Sequence, residues 1–142
     1  MKKFISFAVL IVFSFSLFHV NAVETRKNIA NLSTITPKVE VYYFHFTRRC
    51  SACVAIEEEA QKALSQYFPE KLKTGIIVFK SINIDETNSK TLVDKYNIGG
   101  QALIVISGSK RADLTKEGFM YAQSNPDKFK QIIKSTIDPF IE

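Results

Sequence analysis

An α/β domain is what the sequence predicts, on three observations. The stretch Val39-Glu40-Val41-Tyr42-Tyr43-Phe44-His45-Phe46 is dense in β-branched and aromatic residues, begins just after Pro37, and fits a largely buried strand. Directly downstream, Val54, Ile56, Ala60, Ala63, Leu64 and Tyr67 recur at helical spacing between Glu57, Glu58, Glu59, Gln61 and Lys62, the pattern of an amphipathic helix. Strand and helix patterns then keep alternating toward the C-terminus, in the order β-α-β, α, β-β-α.

The junction between the first strand and the first helix reads Thr47-Arg48-Arg49-Cys50-Ser51-Ala52-Cys53, and it holds the only two cysteines of the 142-residue chain. The free N–H groups and positive dipole end of a helix favour a thiolate over a thiol at the first cysteine. Cys50 is therefore the expected nucleophile. Cys53, one turn into the helix, is within bonding reach and less exposed, which suits a resolving partner. Arg48 and Arg49 are expected to add positive potential beside Cys50, the alternative for each being a solvated cationic loop. A loop this short constrains a fold very little, so the pair reads as functional and not as a staple. Disulfide catalysts span potentials of about −270 to −120 mV, roughly 7 kcal/mol, whereas a helix dipole contributes about 0.3–1 kcal/mol. The motif nominates a redox pair without setting the direction of electron flow.

The remaining elements follow in order. Tyr67-Phe68-Pro69 closes the first helix, and a basic link, Lys71-Leu72-Lys73, leads to Thr74-Gly75. Residues 75–85 read as a second strand, apolar at first and alternating later. A helix is expected over 86–96, with Leu92, Val93 and Tyr96 on one face, ending at the break Asn97-Ile98-Gly99-Gly100. Ala102-Leu103-Ile104-Val105-Ile106 is a buried strand, and Ser107-Gly108-Ser109-Lys110 a hairpin turn into a short strand over 111–114. Ser124-Asn125-Pro126-Asp127 starts a last helix whose buried face is Phe129, Ile132, Ile133 and Ile137.

The N-terminus carries a different signal. Met1-Lys2-Lys3, an apolar run over 4–20 and then Asn21-Ala22 match a signal peptide cut after Ala22. The expected address is the periplasm or the cell exterior. An uncleaved signal would instead tether the domain to the membrane. Residues 23–37 are polar and read as an N-terminal tether, leaving one domain over 38–142. About 120 residues follow the cut, enough for one real core. Loss of Lys2 and Lys3 lowers the net charge from +5 to about +3, too mild for a nucleic-acid binder, and no basic run is interleaved with aromatics.

The element order, with Cys-x-x-Cys at the end of the first strand, resembles the thioredoxin-like fold over residues 38–142. The resemblance implies three layers, with a central four-stranded mixed sheet flanked by helices and without the extra N-terminal strand and helix. Tyr96-Asn97-Ile98-Gly99-Gly100-Gln101-Ala102-Leu103-Ile104-Val105-Ile106 looks like the segment leading into the family's third core strand. More narrowly, Tyr43-Phe44-His45-Phe46-Thr47-Arg48-Arg49-Cys50-Ser51-Ala52-Cys53 with Ile56-Glu57 is similar to exported bacterial thioredoxin-like proteins labelled as ArsF-type or nitroreductase-subunit proteins. It implies a Cys50–Cys53 disulfide as the redox centre, supported by Arg49, Gln101 and Ala102.

Three departures from the family accompany it. Thioredoxins place a cis-proline opposite the cysteines, where this chain has Ala102 after Gln101. A non-proline cis bond costs about 2.5–4 kcal/mol, so a trans peptide is expected before Ala102. The family's buried carboxylate on the first strand is replaced by Phe44, and its tryptophan before the motif by Arg49. His45 points to the opposite face from Phe44 and reads as a structural, hydrogen-bonded histidine.

The leading expectation is an exported thiol–disulfide oxidoreductase acting on client protein disulfides or thiols and recycled by a membrane redox partner, with no cofactor. The first alternative is a soft-metal or arsenite binding module using the same two cysteines. A full zinc site is not expected, because two thiolates and His45, the one histidine beyond the signal, make at most three ligands. The second alternative is a non-catalytic interaction domain whose disulfide stays closed. Glu57-Glu58-Glu59 reads as a solvated helix face with favourable charge near the positive dipole end, the alternative being that Glu57, close to Cys50 and Cys53, acts as a proton acceptor. Tyr42, Tyr43 and Phe44 read as core. No phosphate loop, nucleophilic serine elbow or His-Glu metal motif is present.

Overall fold

The structure is a computed structural model and describes residues 36–142. The expected signal peptide, and all of the expected tether but its last two residues, lie outside the described residues.

The sheet is built around β1 (Val39–His45), in which only Glu40 and His45 are not buried. Helix α1 (Ser51–Tyr67) and the short α2 (Pro69–Lys73) carry the chain back to β2 (Ile77–Asn83), which pairs with β1 in parallel, Val39 beside Ile77 and His45 beside Asn83. Parallel pairing needs such a crossover, because a tight turn cannot return the chain to the same end of the sheet. A 3-10 turn (Thr87–Ser89) and α3 (Lys90–Tyr96) then lead to β3 (Ala102–Ser107), antiparallel to β1, with Ala102 beside Phe44. A hairpin gives β4 (Lys110–Asp113), and α4 (Thr115–Tyr121) and α5 (Pro126–Ile141) complete the chain. The strand order is β2-β1-β3-β4.

Alternation along β1 and β3 divides the core in two. Val39, Val41 and Tyr43, with Leu103 and Val105, pack against Ile56, Ala60, Ala63 and Leu64 of α1 and Phe129, Ile133 and Ile137 of α5. Tyr42 and Phe44, with Ile104 and Ile106, face the other way, toward Tyr96, Leu92 and Val93 of α3. Helices on both faces of a mixed four-stranded sheet, with the first helix leaving the end of the central strand, make this a thioredoxin-like α/β fold.

Three elements differ from the sequence reading. The basic link is in fact α2, started by Pro69 at its first turn. The helix expected over 86–96 is split into the 3-10 turn and α3, which ends on Asn97 in the left-handed conformation (φ 51°, ψ 55°). Helix α4 has no counterpart in the sequence pattern. Its only buried residue is Gly118, so it has no apolar stripe to read. A Cβ on Gly118 would lie 3.1–3.2 Å from three side-chain carbons of Ile56, so the glycine is what lets α4 approach α1. The last helix starts as expected, with Asn125 Oδ1 accepting from the Lys128 N–H at 3.1 Å and Pro126 in the first turn.

Candidate redox site

Cys50 is the N-cap of α1, in extended conformation (φ −84°, ψ 164°), and its sulfur accepts the Cys53 backbone N–H at 3.2 Å. Helical geometry then carries Cys53 back beneath it, and the two form a disulfide with S–S 2.08 Å and Cα–Cα 5.1 Å. Their environments differ. Cys50 is exposed, whereas Cys53 is only 1% exposed. The disulfide thus presents one sulfur to solvent, at the positive end of a 17-residue helix, and keeps the other in the core.

The surroundings of Cys53 come from three elements. From β1, the Tyr43 hydroxyl donates to the Cys53 carbonyl at 2.8 Å. Burial pushes the Tyr43 phenol up, against the pull of Arg49, so it stays a neutral donor. From the β1–α1 loop, Arg49 Nη2 donates to the same carbonyl at 3.3 Å, its guanidinium lies over the Tyr43 ring (5.6 Å to the centroid), and it is ion-paired with Glu57. From the residue just before β3, the Gln101 side-chain amide lies against the Cys53 sulfur, Nε2 at 3.1 Å and Oε1 at 3.4 Å.

The sequence-predicted site residues therefore do not all behave alike. Cys50, Cys53, Arg49 and Gln101 are brought together. Arg48 is exposed, with no ion pair among the described residues, so the two arginines are not equivalent. Ala102 is 8% exposed and opens β3 opposite Phe44, and every peptide bond among the described residues is trans. Phe44 belongs to the α3 face, away from the disulfide. His45 shares the Tyr43 face, stacks on that ring at 5.9 Å, and its Nδ1 donates to the Phe46 carbonyl at 2.9 Å.

Two residues do more than the sequence pattern indicates. The pattern makes Tyr43 core, and its hydroxyl also contacts the motif. Strand alternation was the available signal, since Tyr43 lies on the face that α1 covers. The run Glu57-Glu58-Glu59, apart from the alternative of a proton-accepting Glu57, reads as a solvated face, and only Glu58 fits that description: the Glu57 and Glu59 side chains are 15% and 12% exposed, and Glu59 pairs with Lys62 at 2.7 Å. Among the described residues, no group of three or more His, Cys, Asp or Glu side chains is placed to hold a metal ion.

These features define a thioredoxin-like domain carrying a Cys-x-x-Cys disulfide at a helix N-terminus. No family model and no curated protein matches the chain. Solved structures similar to it include a malarial protein (20% identity over 68% of this chain and 96% of that one, TM-score 0.45). The germline-specific thioredoxin Deadhead from Drosophila melanogaster is 18% identical over 79% of this chain and 89% of its own, with a TM-score of 0.44. Mitochondrial thioredoxin 3 from Saccharomyces cerevisiae, in its oxidized form, is 18% identical over 79% of this chain and 87% of its own, with a TM-score of 0.45.

Proposed function

We propose that this chain is an exported thiol–disulfide oxidoreductase, of the ArsF-type group its motif resembles. The observation that carries the reading is the asymmetry of the disulfide: an exposed Cys50 at a helix N-terminus bonded to a buried Cys53. In the reduced protein the exposed thiolate attacks one sulfur of a client disulfide and expels the other as a thiolate. Cys53 then attacks Cys50 Sγ, the Cys50–client bond breaks, and the client leaves as a dithiol while two electrons remain with the client. The same steps in reverse oxidise a client dithiol. A membrane redox partner facing the exported domain restores the starting state.

The soft-ion reading is less well supported, because it needs both sulfurs to face a ligand and Cys53 is almost fully enclosed. An equilibrium titration of the mature protein in glutathione or dithiothreitol buffers, followed by alkylation and mass, tests the proposal. A reversible two-electron transition between about −270 and −120 mV is the expected result, and its position separates oxidant from reductant. A disulfide that stays closed below about −300 mV would identify a non-catalytic domain. Replacing Cys53 with serine should also trap mixed disulfides through Cys50, and a preparation that traps none would count against catalysis.

A further inference from the structure

Gln101 is, among the described residues, the side chain outside the motif whose polar atoms reach a cysteine sulfur, with Nε2 3.1 Å and Oε1 3.4 Å from Cys53 Sγ. In the disulfide this sulfur carries no hydrogen, so the Nε2–H···S contact is the hydrogen bond of the oxidised state. Reduction changes what the sulfur needs. A Cys53 thiol donates and can be met by Oε1, whereas a Cys53 thiolate accepts and can be met by Nε2–H. A primary amide holds both groups in one plane, and a half-turn of its last torsion exchanges them. Cys53 is 1% exposed, so water does not stand in for either partner, and a buried thiolate without a donor is costly. The platform is rigid: the next residue, Ala102, pairs with Phe44 of β1, and the Leu103 N–H donates to Thr115 Oγ1 at 3.0 Å.

We propose that Gln101 is the positioning residue of the resolving step, holding Cys53 Sγ in place and donating to it as the thiolate forms. The inference rests on the oxidoreductase reading and adds to it a group that acts on the second chemical step only. In that step the Cys53 thiolate attacks Cys50 Sγ, the Cys50–client S–S bond breaks, and the client sulfur takes the electron pair. The proton lost from Cys53 reaches the departing client thiolate through solvent. Gln101 exchanges no proton and no electron. The exposed Cys50 sulfur is not its partner, so the first attack is independent of it.

The test is a stopped-flow reaction of the fully reduced mature protein with an equimolar amount of the aromatic disulfide dithiobis-nitrobenzoate, whose thiolate product absorbs visible light. Attack by Cys50 releases one equivalent in a concentration-dependent phase, and resolution by Cys53 releases the second in a concentration-independent phase. In Gln101→Leu the second phase should slow about tenfold and its pH profile move to higher pH, the first phase being unchanged, as loss of one hydrogen bond to a charged group requires. Gln101→Glu, which offers acceptors only and adds a negative charge, should slow the second phase further. Gln101→Met, unbranched and without a hydrogen-bond donor, guards against a Leu variant that folds poorly, and circular dichroism checks each protein. A second phase of wild-type rate and pH profile in a folded Leu or Met variant would overturn the role of Gln101 while leaving the oxidoreductase reading intact. A wild-type protein that releases the first equivalent and never the second would overturn both.

Discussion

Arg48 and Arg49 are adjacent and chemically identical, yet folding gives them different work. The Arg48 side chain is left in solvent, whereas Arg49 is turned inward, onto the Tyr43 ring, the Cys53 carbonyl and Glu57. The charge that the sequence places next to Cys50 is thereby largely balanced by a carboxylate one helical turn beyond Cys53. Removing either partner leaves the other uncompensated in a half-buried site, which predicts effects of opposite sign. Glu57→Gln should speed alkylation of Cys50 below neutral pH by about tenfold and make the couple more oxidising, because the freed cation stabilises the thiolate. Arg49→Gln should slow the same alkylation. Iodoacetamide kinetics on the reduced proteins against pH read both, and shifts in the same direction would show that the pair acts through structure and not through charge.

At the scale of elements, the contact between α1 and α4 depends on a missing side chain. Gly118 lies against Cγ1, Cγ2 and Cδ1 of Ile56, which is itself 1% exposed and held by α1, β1 and α5. Gly118→Ala gains about 1 kcal/mol of helix propensity but forces three close contacts on a side chain with nowhere to move, a cost of about 1–3 kcal/mol. The expected net effect is a loss of about 1 kcal/mol in urea unfolding. Adding Ile56→Val, which removes Cδ1, should recover part of that loss. A Gly118→Ala protein more stable than wild type would mean that α4 simply shifts outward. Because α4 also supplies Thr115 to the segment after Gln101, such a shift would be felt at the site.

For the whole molecule, the two core faces each bury a tyrosine from β1 whose phenol is pushed up. For Tyr43 burial is the main cause. For Tyr42 it is burial again, joined by the hydrogen bond it donates to Glu40 at 2.7 Å and by the neighbouring Tyr96. Both phenols stay neutral in the folded state at a pH where an unfolded chain ionises them at about 10. A folded-state value above the unfolded one gives stability that is complete below the unfolded value and is lost as pH rises through the folded one. Unfolding free energy should therefore fall steadily above about pH 10, and Tyr43→Phe should flatten that fall. Urea titrations between neutral and strongly alkaline pH measure the slope, and an unchanged slope in the variant would show that Tyr43 is not one of the groups responsible.

Local pattern was enough for much of this. The burial of β1 and β3, the periodicity of α1, the Asn-Pro start of α5 and the hairpin at Gly108, where φ is +58°, are all set by neighbours in the chain, so they could be read from it. Cys50 and Cys53 were legible for the same reason, since three residues at a helix start fix their own geometry. Helix α4 was not legible, because a helix that buries one glycine carries no apolar period. Of the partners of Cys53, Arg49 and Gln101 are named by the family resemblance alone and Tyr43 by no pattern at all. Tyr43 is ten residues away and Gln101 forty-eight, and which polar side chains meet a buried residue depends on strand pairing and on which face each strand turns toward α1. The Arg49–Glu57 pair belongs to the same class: spacing put both residues near the motif and the resemblance singled out Arg49, but only packing against Tyr43 turns it inward and pairs it with Glu57 and not Glu58. Chemistry confined to one turn of chain is encoded by that turn, whereas the environment that tunes it is assembled from distant segments and exists only once the sheet has formed.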